Sequence, residues 1–192
     1  DHTPQRVQGF AASGPPFEVR LVHCGKGGKS AALNRGLAEI QTDLVVFTDD
    51  DMSFDENWLV AFVEHFRAYD CAGAQGKVCL EFQGSRPEWM TPKAEVLLAA
   101  TFLFENRVFQ LNSLGGLNMA SRRLAAAAAG PFREDLGPED RRTGFAEDTE
   151  WSQRLAQQGS LLFCPSAANY HRIPPDRARR RYVLRRQFEV VA

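Results

Sequence analysis

No single sign of charge dominates this chain, and no long apolar run crosses it. Its 23 basic and 24 acidic residues leave a formal net charge of -1, which excludes a global pull toward nucleic acid. The longest apolar run, Val96 to Phe104, is too short to span a bilayer, and no signal-peptide pattern is visible. Cysteine is scarce, and Cys24, Cys71, Cys79 and Cys164 lack CxxC spacing, which argues against zinc and against a disulfide framework. Each sits beside apolar residues, so buried free thiols in a reducing, cytoplasmic setting are expected. Internal repeats and clear linkers are also missing. The chain opens at Asp1 rather than Met, and its first strand-like run comes only at Glu18 to His23, the pattern expected of a fragment.

What is present fits one α/β domain spanning residues 1–192, with 44% hydrophobic and 24% charged residues. Thr3-Pro4 predicts a short helix through Phe10, with Thr3 as cap. Phe17 to Cys24 alternates as a strand. A glycine loop, Gly25 to Ser30, precedes a helix carrying Leu33, Leu37 and Ile40, with Ser30 as its cap. Leu44 to Thr48 is wholly apolar, as in a strand covered on both faces. Asp55 then caps a helix whose Leu59, Phe62, Val63 and Phe66 form the apolar stripe. Ala72 to Phe82 reads as strand broken by Gly73 and Gly76, Thr91 to about Leu111 as a long helix, and Ser121 to Ala129 as an alanine-rich one stopped by Gly130. A polar loop from Arg133 to Phe145, a helix from Glu147 to Gln158 and a strand from Leu161 to Cys164 follow. Asp176 is expected to cap a last helix, in the stretch Arg177 to Arg186 where arginines crowd.

Asp49-Asp50-Asp51 follows a buried strand directly, at the end where open α/β sheets take ligands. Adjacent acids repel one another, and a divalent cation relieves that repulsion; oxygen ligands favour Mg²⁺ or Mn²⁺ over zinc. The bland alternative is an acidic turn ahead of the next helix. Glu147-Asp148 heads a helix after a glycine-containing loop, where free N–H groups favour carboxylates and a base can meet a sugar hydroxyl. An acidic first turn is, however, common in any helix. His171 offers a third ligand to a cation already held by carboxylates, although a lone histidine is usually structural. Gly28-Lys29-Ser30 mimics a phosphate loop, but the Walker spacing requires glycine where His23 stands, so that reading fails.

Singly these signals are ambiguous; in series they are specific. Lys-Ser-Ala-Ala-Leu-Asn-Arg-Gly (29–36), Val-Val-Phe-Thr-Asp-Asp-Asp (45–51), Gly-Gly-Leu-Asn-Met-Ala-Ser-Arg-Arg (115–123), Gly-Pro-Phe-Arg-Glu-Asp-Leu-Gly (130–137), Glu-Asp-Thr-Glu (147–150) and His171 resemble the family-two glycosyltransferases. The resemblance covers essentially the whole chain. It implies a GT-A fold, a Rossmann-like mixed sheet flanked by helices, which takes a nucleoside-diphosphate sugar. It further implies a metal-dependent, inverting transfer of a hexosyl or N-acetylhexosaminyl group to a hydroxyl of a glycan or lipid-linked acceptor, in polysaccharide or cell-wall synthesis. Asp49 to Asp51 correspond to the DxD motif, with Asp49 toward the ribose or sugar and, with Asp51, on the Mn²⁺ or Mg²⁺, and Asp50 the substitute for Asp51. Asp148 corresponds to the base and Glu147 to its support, His171 to a late metal ligand, and Lys29 and Asn34 to the border of the nucleotide.

Relatives open with a buried strand of the type Val-Ser-Val-Val-Ile-Pro and a later acid that contacts the base. Neither stands in this sequence, so the resemblance implies a sheet lacking the first strand of the domain and a basic helix over 176–192 cut short. Arg181, Arg185 and Arg186 on that helix are candidates for the diphosphate or for peripheral contact with the cytoplasmic face of a membrane, against the plainer reading of a solvated face. Two other readings stand beside this one. One is a haloacid dehalogenase-like phosphatase with Asp49 as nucleophile. The other is a non-catalytic nucleotide- or glycan-binding domain.

Overall fold

The computed structural model describes residues 2–101, 105–136 and 146–191. Helix α1 (Thr3–Ala12) starts as expected, but Thr3 lies inside it, and it buries none of its residues. The stretch from Phe17 to Cys24, expected as a strand, forms no regular element. It pairs with no strand among the described residues, and Phe17 and Leu21 stay exposed. Alternation alone cannot make a strand without a neighbour to take its N–H and C=O groups. Helix α2 (Lys29–Leu37) begins after Gly28, whose φ of 105° suits a residue without Cβ. Ser30 is not its cap; it lies within the first turn, and its hydroxyl donates to the Leu136 carbonyl at 3.1 Å.

The sheet runs in the order β1 (Leu44–Phe47), β5 (Met119–Arg122), β3 (Gly73–Phe82), β6 (Leu161–Ile173), β2 (Met52–Phe54), and a short β4 (Gln110–Leu111) also pairs with β6. Strands β3 and β6 are parallel and the other pairs antiparallel, a mixed sheet as expected. Strand β1 pairs only with β5 among the described residues, so it lies at the edge rather than the centre, and Leu44 and Val46 are only half-buried. Its alternation still serves two cores. Val45 and Phe47 join Met119, Phe132, Trp151 and Leu155 under α5 (Arg123–Ala129) and α6 (Glu147–Leu155). Leu44 and Val46 face the layer of α3 (Trp58–Ala68) with Phe62, Phe66, Ala120 and Cys164.

Several boundaries move, each for a local reason. On α3 the buried face is Trp58, Ala61, Phe62, His65 and Phe66, while the predicted Leu59 and Val63 are exposed. The Trp58 indole explains the rotation, because its N–H donates to the fully buried Asn118 Oδ1 at 2.8 Å. Asp55 caps not the helix but the turn ahead of it, accepting the Asn57 N–H at 2.9 Å. Among the described residues, which leave out 102–104, the predicted 91–111 helix is reduced to α4 (Pro92–Val96), capped by Thr91 Oγ1, which accepts from Ala94 N–H. Residues 119–122, assigned in part to the alanine helix, are strand. Gly73 and Gly76 do not break β3; a Cβ at Gly76 would lie 2.3 Å from both the Ala167 carbonyl oxygen and Asn118 Nδ2.

Strand β6 does not end at Cys164. Gly76 pairs with Cys164 and Lys77 with Ala168, so residues 165–167 bulge out of register and Pro165 needs no ladder partner for the N–H it lacks. Asn118 seals this bulge, its amide donating to the Ala167 and Lys77 carbonyls at 2.8 and 2.9 Å. Beyond the bulge, α4 and α7 (Arg180–Val191) close over the far ends of β3 and β6 through Met90, Leu98, Ile173 and Val183. Asp176 does not cap α7; it sits in the preceding turn, where Arg177 N–H donates to the Pro174 carbonyl at 3.0 Å. Helix α6, a 3₁₀ turn over Ala156–Gln158 and Gly159 at φ 150° follow the expected course. Part of the predicted polar loop, 137–145, lies outside the described residues. All four cysteines are free; Cys71 and Cys164 are buried, Cys24 and Cys79 only partly so. Burial pushes the Cys71 thiol up to about 11.

Candidate active site

A cleft of about 360 Å³ opens where the β1–β2 connection, the start of α2, the start of α6, β6 and α7 converge. Its volume lies in the range of small-molecule sites. Lys29, Asp49, Asp51, Glu147, Asp148 and His171 all line it. In the turn between β1 and β2, Asp49 and Asp51 line the cleft, whereas Asp50 is exposed and lines, together with Asp49 and Lys29, an adjoining groove against α2. Asn34 also lies elsewhere. Its side chain clamps the backbone of Phe132, donating to the carbonyl at 2.9 Å and accepting the N–H at 2.7 Å.

One half of the site is built on strand register. Met52 of β2 pairs with His171 of β6, and Leu80 of β3 pairs with His171 from the other side. Asp51 immediately precedes Met52, and its carbonyl accepts the Arg172 N–H at 2.9 Å. The His171 imidazole therefore meets Asp51, with Nε2 3.3 Å from Oδ2. The other ring nitrogen, Nδ1, lies 2.9 Å from the Leu98 carbonyl oxygen. A carbonyl only accepts, so Nδ1 carries a proton, and Nε2 is the ring nitrogen turned toward Asp51. Arg177 approaches the same carboxylate oxygen, with Nη1 donating to Oδ2 at 3.0 Å.

The other half is built on a helix start and a glycine turn. Glu147, Asp148 and Glu150 occupy the first turn of α6, where the helix dipole favours negative charge. Trp151, fully buried and stacked on Phe132 at 4.6 Å, seats this helix, and Ser152 Oγ accepts the Leu114 N–H at 2.9 Å to tie it to the glycine turn. Gly116 N–H then donates to Asp148 Oδ2 at 2.8 Å. A Cβ at Gly116 would lie 3.5 Å from both Asp148 Oδ2 and Lys29 Nζ, so the turn runs directly between them. Gln75 and Asn118 hold the turn from below: Gly115 N–H donates to Gln75 Oε1 at 2.5 Å, and Gln75 Nε2 donates to the Asn118 carbonyl at 3.0 Å.

Lys29 bridges the two halves. Its ammonium lies 2.9 Å from Asp49 Oδ1 and 3.9 Å from Glu147 Oε1. Burial alone would lower its pKa, but the charge of Asp49 and their hydrogen bond, with Glu147 and Asp148 behind them, outweigh burial and hold it above the ordinary lysine value. The cleft is thus a charged trough with a fixed cation at its floor. Two alanines on its wall, Ala99 at φ 70° and Ala146 at φ 143°, sit in the left-handed region that disfavours a side chain.

Among the described residues, no three His, Cys, Asp or Glu side chains gather as a complete metal cage. The donor pair nevertheless fits a divalent cation. Two adjacent ligands at octahedral bond lengths of about 2.1 Å lie about 3 Å apart, close to the 3.3 Å between Asp51 Oδ2 and His171 Nε2. A cation of this class takes one or two protein ligands and completes its shell from water and substrate phosphate. Two residues that line the cleft, Arg177 and Tyr182, were given no role by the sequence. The crowding of arginine after Pro175 was the one available hint toward the first.

A mixed sheet flanked by helices, with acids delivered from β1 and a helix start turned into the same cleft, is the GT-A glycosyltransferase fold. Solved structures agree on that fold. S. aureus TarS superposes with a TM-score of 0.63 at 15% identity, over 90% of this chain and 48% of that chain. The same protein in complex with UDP-GlcNAc gives 0.60 at 15% identity, over 90% and 46%. GalNAc-T7 with UDP, GalNAc and Mn²⁺ gives 0.54 at 17% identity, over 76% and 30%. Residues 1–126 match Glycosyl transferase family 2, and the chain belongs to that family. It is 26% identical, over 186 residues, to the succinoglycan biosynthesis protein ExoM of Rhizobium meliloti (strain 1021). The match covers 90% of this chain and 54% of ExoM, so the chain spans about half the length of that relative.

Proposed function

We propose that residues 1–192 act as one catalytic domain that transfers a hexosyl or N-acetylhexosaminyl group, with inversion, from a nucleoside-diphosphate sugar to a hydroxyl of a growing glycan or lipid-linked acceptor. The observation that carries this reading is the meeting of Asp51, His171 and Asp148 in one cleft with Lys29 between its halves. Family membership sets the phosphatase reading aside. It also favours an enzyme over a mere binding domain, since each acid of the series is in place. UDP is the first nucleotide to try, because the solved TarS and GalNAc-T7 complexes hold UDP-GlcNAc and UDP. An acceptor in polysaccharide assembly follows the likeness to ExoM.

Asp51 and His171 would hold Mn²⁺ or Mg²⁺ in this reading. When bound, the cation neutralises negative charge building on the departing diphosphate. Lys29 keeps Asp49 oriented beside it and adds a positive charge to the floor. Asp148, fixed by the Gly116 N–H, takes the proton from the acceptor hydroxyl as it attacks the anomeric carbon, and Glu147 supports it. Attack from the face opposite the leaving group inverts the anomeric centre. No described helix is long and apolar enough to cross a membrane. We place the reaction in the cytoplasm, with contact to the membrane face made through the arginines of α7.

The test is nucleoside diphosphate release by full-length protein with Mn²⁺ and UDP-, GDP- or dTDP-sugars. Asp148→Asn is expected to lower turnover by roughly 100-fold or more while leaving nucleotide binding intact, the range general-base catalysis supplies. Undiminished turnover would remove Asp148 from the role. A product of unchanged anomeric configuration, read by NMR, would overturn inversion.

A further inference from the structure

Arg177 stands on the turn between β6 and α7, outside any ladder, with its side chain 39% exposed. It was not among the residues to which the series of motifs gave a role. Yet its guanidinium reaches Asp51 Oδ2 at 3.0 Å, the same oxygen that lies 3.3 Å from His171 Nε2. Both partners aim at one atom. A divalent cation seated between Asp51 Oδ2 and His171 Nε2 needs the lone pairs that Arg177 now engages. It would also place two positive charges side by side, a repulsion that water screens only partly in a cleft.

We propose that Arg177 is a resident counter-ion, which holds Asp51 in the nucleotide-free protein and passes to the diphosphate when nucleotide and cation arrive together. The inference rests on the donor-and-cation reading above. A half-exposed ion pair is weak and easily exchanged. A diphosphate offers more charge and a better match, since the planar guanidinium donates two parallel N–H groups to phosphate oxygens. Arg186, from the same α7 wall, lines the cleft beside it. The exchange makes cation binding conditional on nucleotide: alone, the cation must displace a guanidinium and bear its repulsion; with the diphosphate, it meets a group that draws the guanidinium away. Arg177 is thereby a positioning residue for the donor and a source of coupling between two ligands.

Coupling of this kind gives one substitution two effects of opposite sign. Mn²⁺ binding to full-length protein without nucleotide is measured by EPR or calorimetry, and UDP and GDP binding is measured at saturating Mn²⁺. Arg177→Ala is expected to tighten Mn²⁺ alone by about threefold to fivefold, the loss of a weak competing ion pair. The same variant is expected to weaken the nucleoside diphosphate by about tenfold or more, the loss of a charge-assisted bond. Arg177→Lys should restore part of the nucleotide affinity, because it keeps the charge without the fork. Circular dichroism and Tm confirm that each variant is folded. Mn²⁺ binding unchanged or weakened in folded Arg177→Ala would overturn the proposal, as would unchanged nucleotide affinity. Wild-type protein that takes up neither UDP nor GDP with Mn²⁺ would overturn the donor reading itself, a result separate from any difference between wild type and variant.

Discussion

Asn118→Ala is expected to unfold the support beneath the cleft, and the cost follows from three bonds. The side chain is fully buried. It accepts the Trp58 indole N–H at 2.8 Å and donates to the Lys77 and Ala167 carbonyls at 2.9 and 2.8 Å. Each lost bond costs about 1 kcal/mol, rising toward about 2 kcal/mol where the abandoned partner stays dry. The total is about 3–6 kcal/mol, a large part of the stability of an ordinary domain. In a chain of this size that lowers Tm by roughly 6–24 °C. Urea unfolding and calorimetry measure it. Trp58→Phe removes one of the three bonds and should cost about 1–2 kcal/mol. The double variant should lose less than the sum by about 1 kcal/mol, because both changes delete the same bond. A loss below about 1 kcal/mol for Asn118→Ala, or strict additivity in the cycle, would refute the reasoning.

Gly76→Ala should prevent β3 and β6 from closing, since the added carbon meets a backbone carbonyl oxygen at 2.3 Å; folded protein with the parent's Tm would contradict this. Gly116→Ala is the control, where a Cβ meets its neighbours at 3.5 Å, and it should fold normally. His65 is buried with its Nε2 unpaired, and burial holds its pKa below the ordinary histidine value. The unfolded chain therefore gains a proton near pH 6.5 before the folded one does, so stability is present above that pH and is lost as pH falls below it. His65→Gln should flatten this acid-side loss in urea titrations between about pH 7 and 5. Lys29 behaves in the opposite sense, with a raised folded pKa. Its contribution is full below about pH 10.4 and fades as pH climbs through the folded value, so wild type and Lys29→Met should converge in stability on the alkaline side.

The sequence declared the parts whose information is local. Asp49 and Asp51, Glu147 and Asp148, and Lys29 at a helix start were legible because each follows a short, well-marked element. His171 was offered by its residue type alone and gained weight from the family series, since its place depends on a strand that runs past Pro165. That strand was misread because proline ordinarily ends pairing, and the bulge that excuses it is set by Gly76 and Asn118, far off in sequence. The α3 face was rotated for a like reason. Two stripes sharing Phe62 and Phe66 fit the helix period equally, and the choice fell to Trp58, whose acceptor lies sixty residues away. The long helix expected after Thr91 failed because a continuous apolar run has no period to tell helix from strand or coil. Asp50 was set apart by the turn between β1 and β2, which a run of three identical residues gives no means to read.

The pairing of Met52 with His171 has a practical consequence for anyone who would re-engineer this protein. The spacing of Asp51 and His171 is dictated by main-chain bonding between two strands, so a one-residue slip of β2 would send its side chains to the wrong side of the sheet. Arg177, by contrast, hangs from a turn outside that ladder, while Tyr182 belongs to α7, whose Val183 packs on Ile173 at the end of β6. Redesign of the cleft should begin at that turn, with the sheet left as the fixed jig against which new walls are fitted.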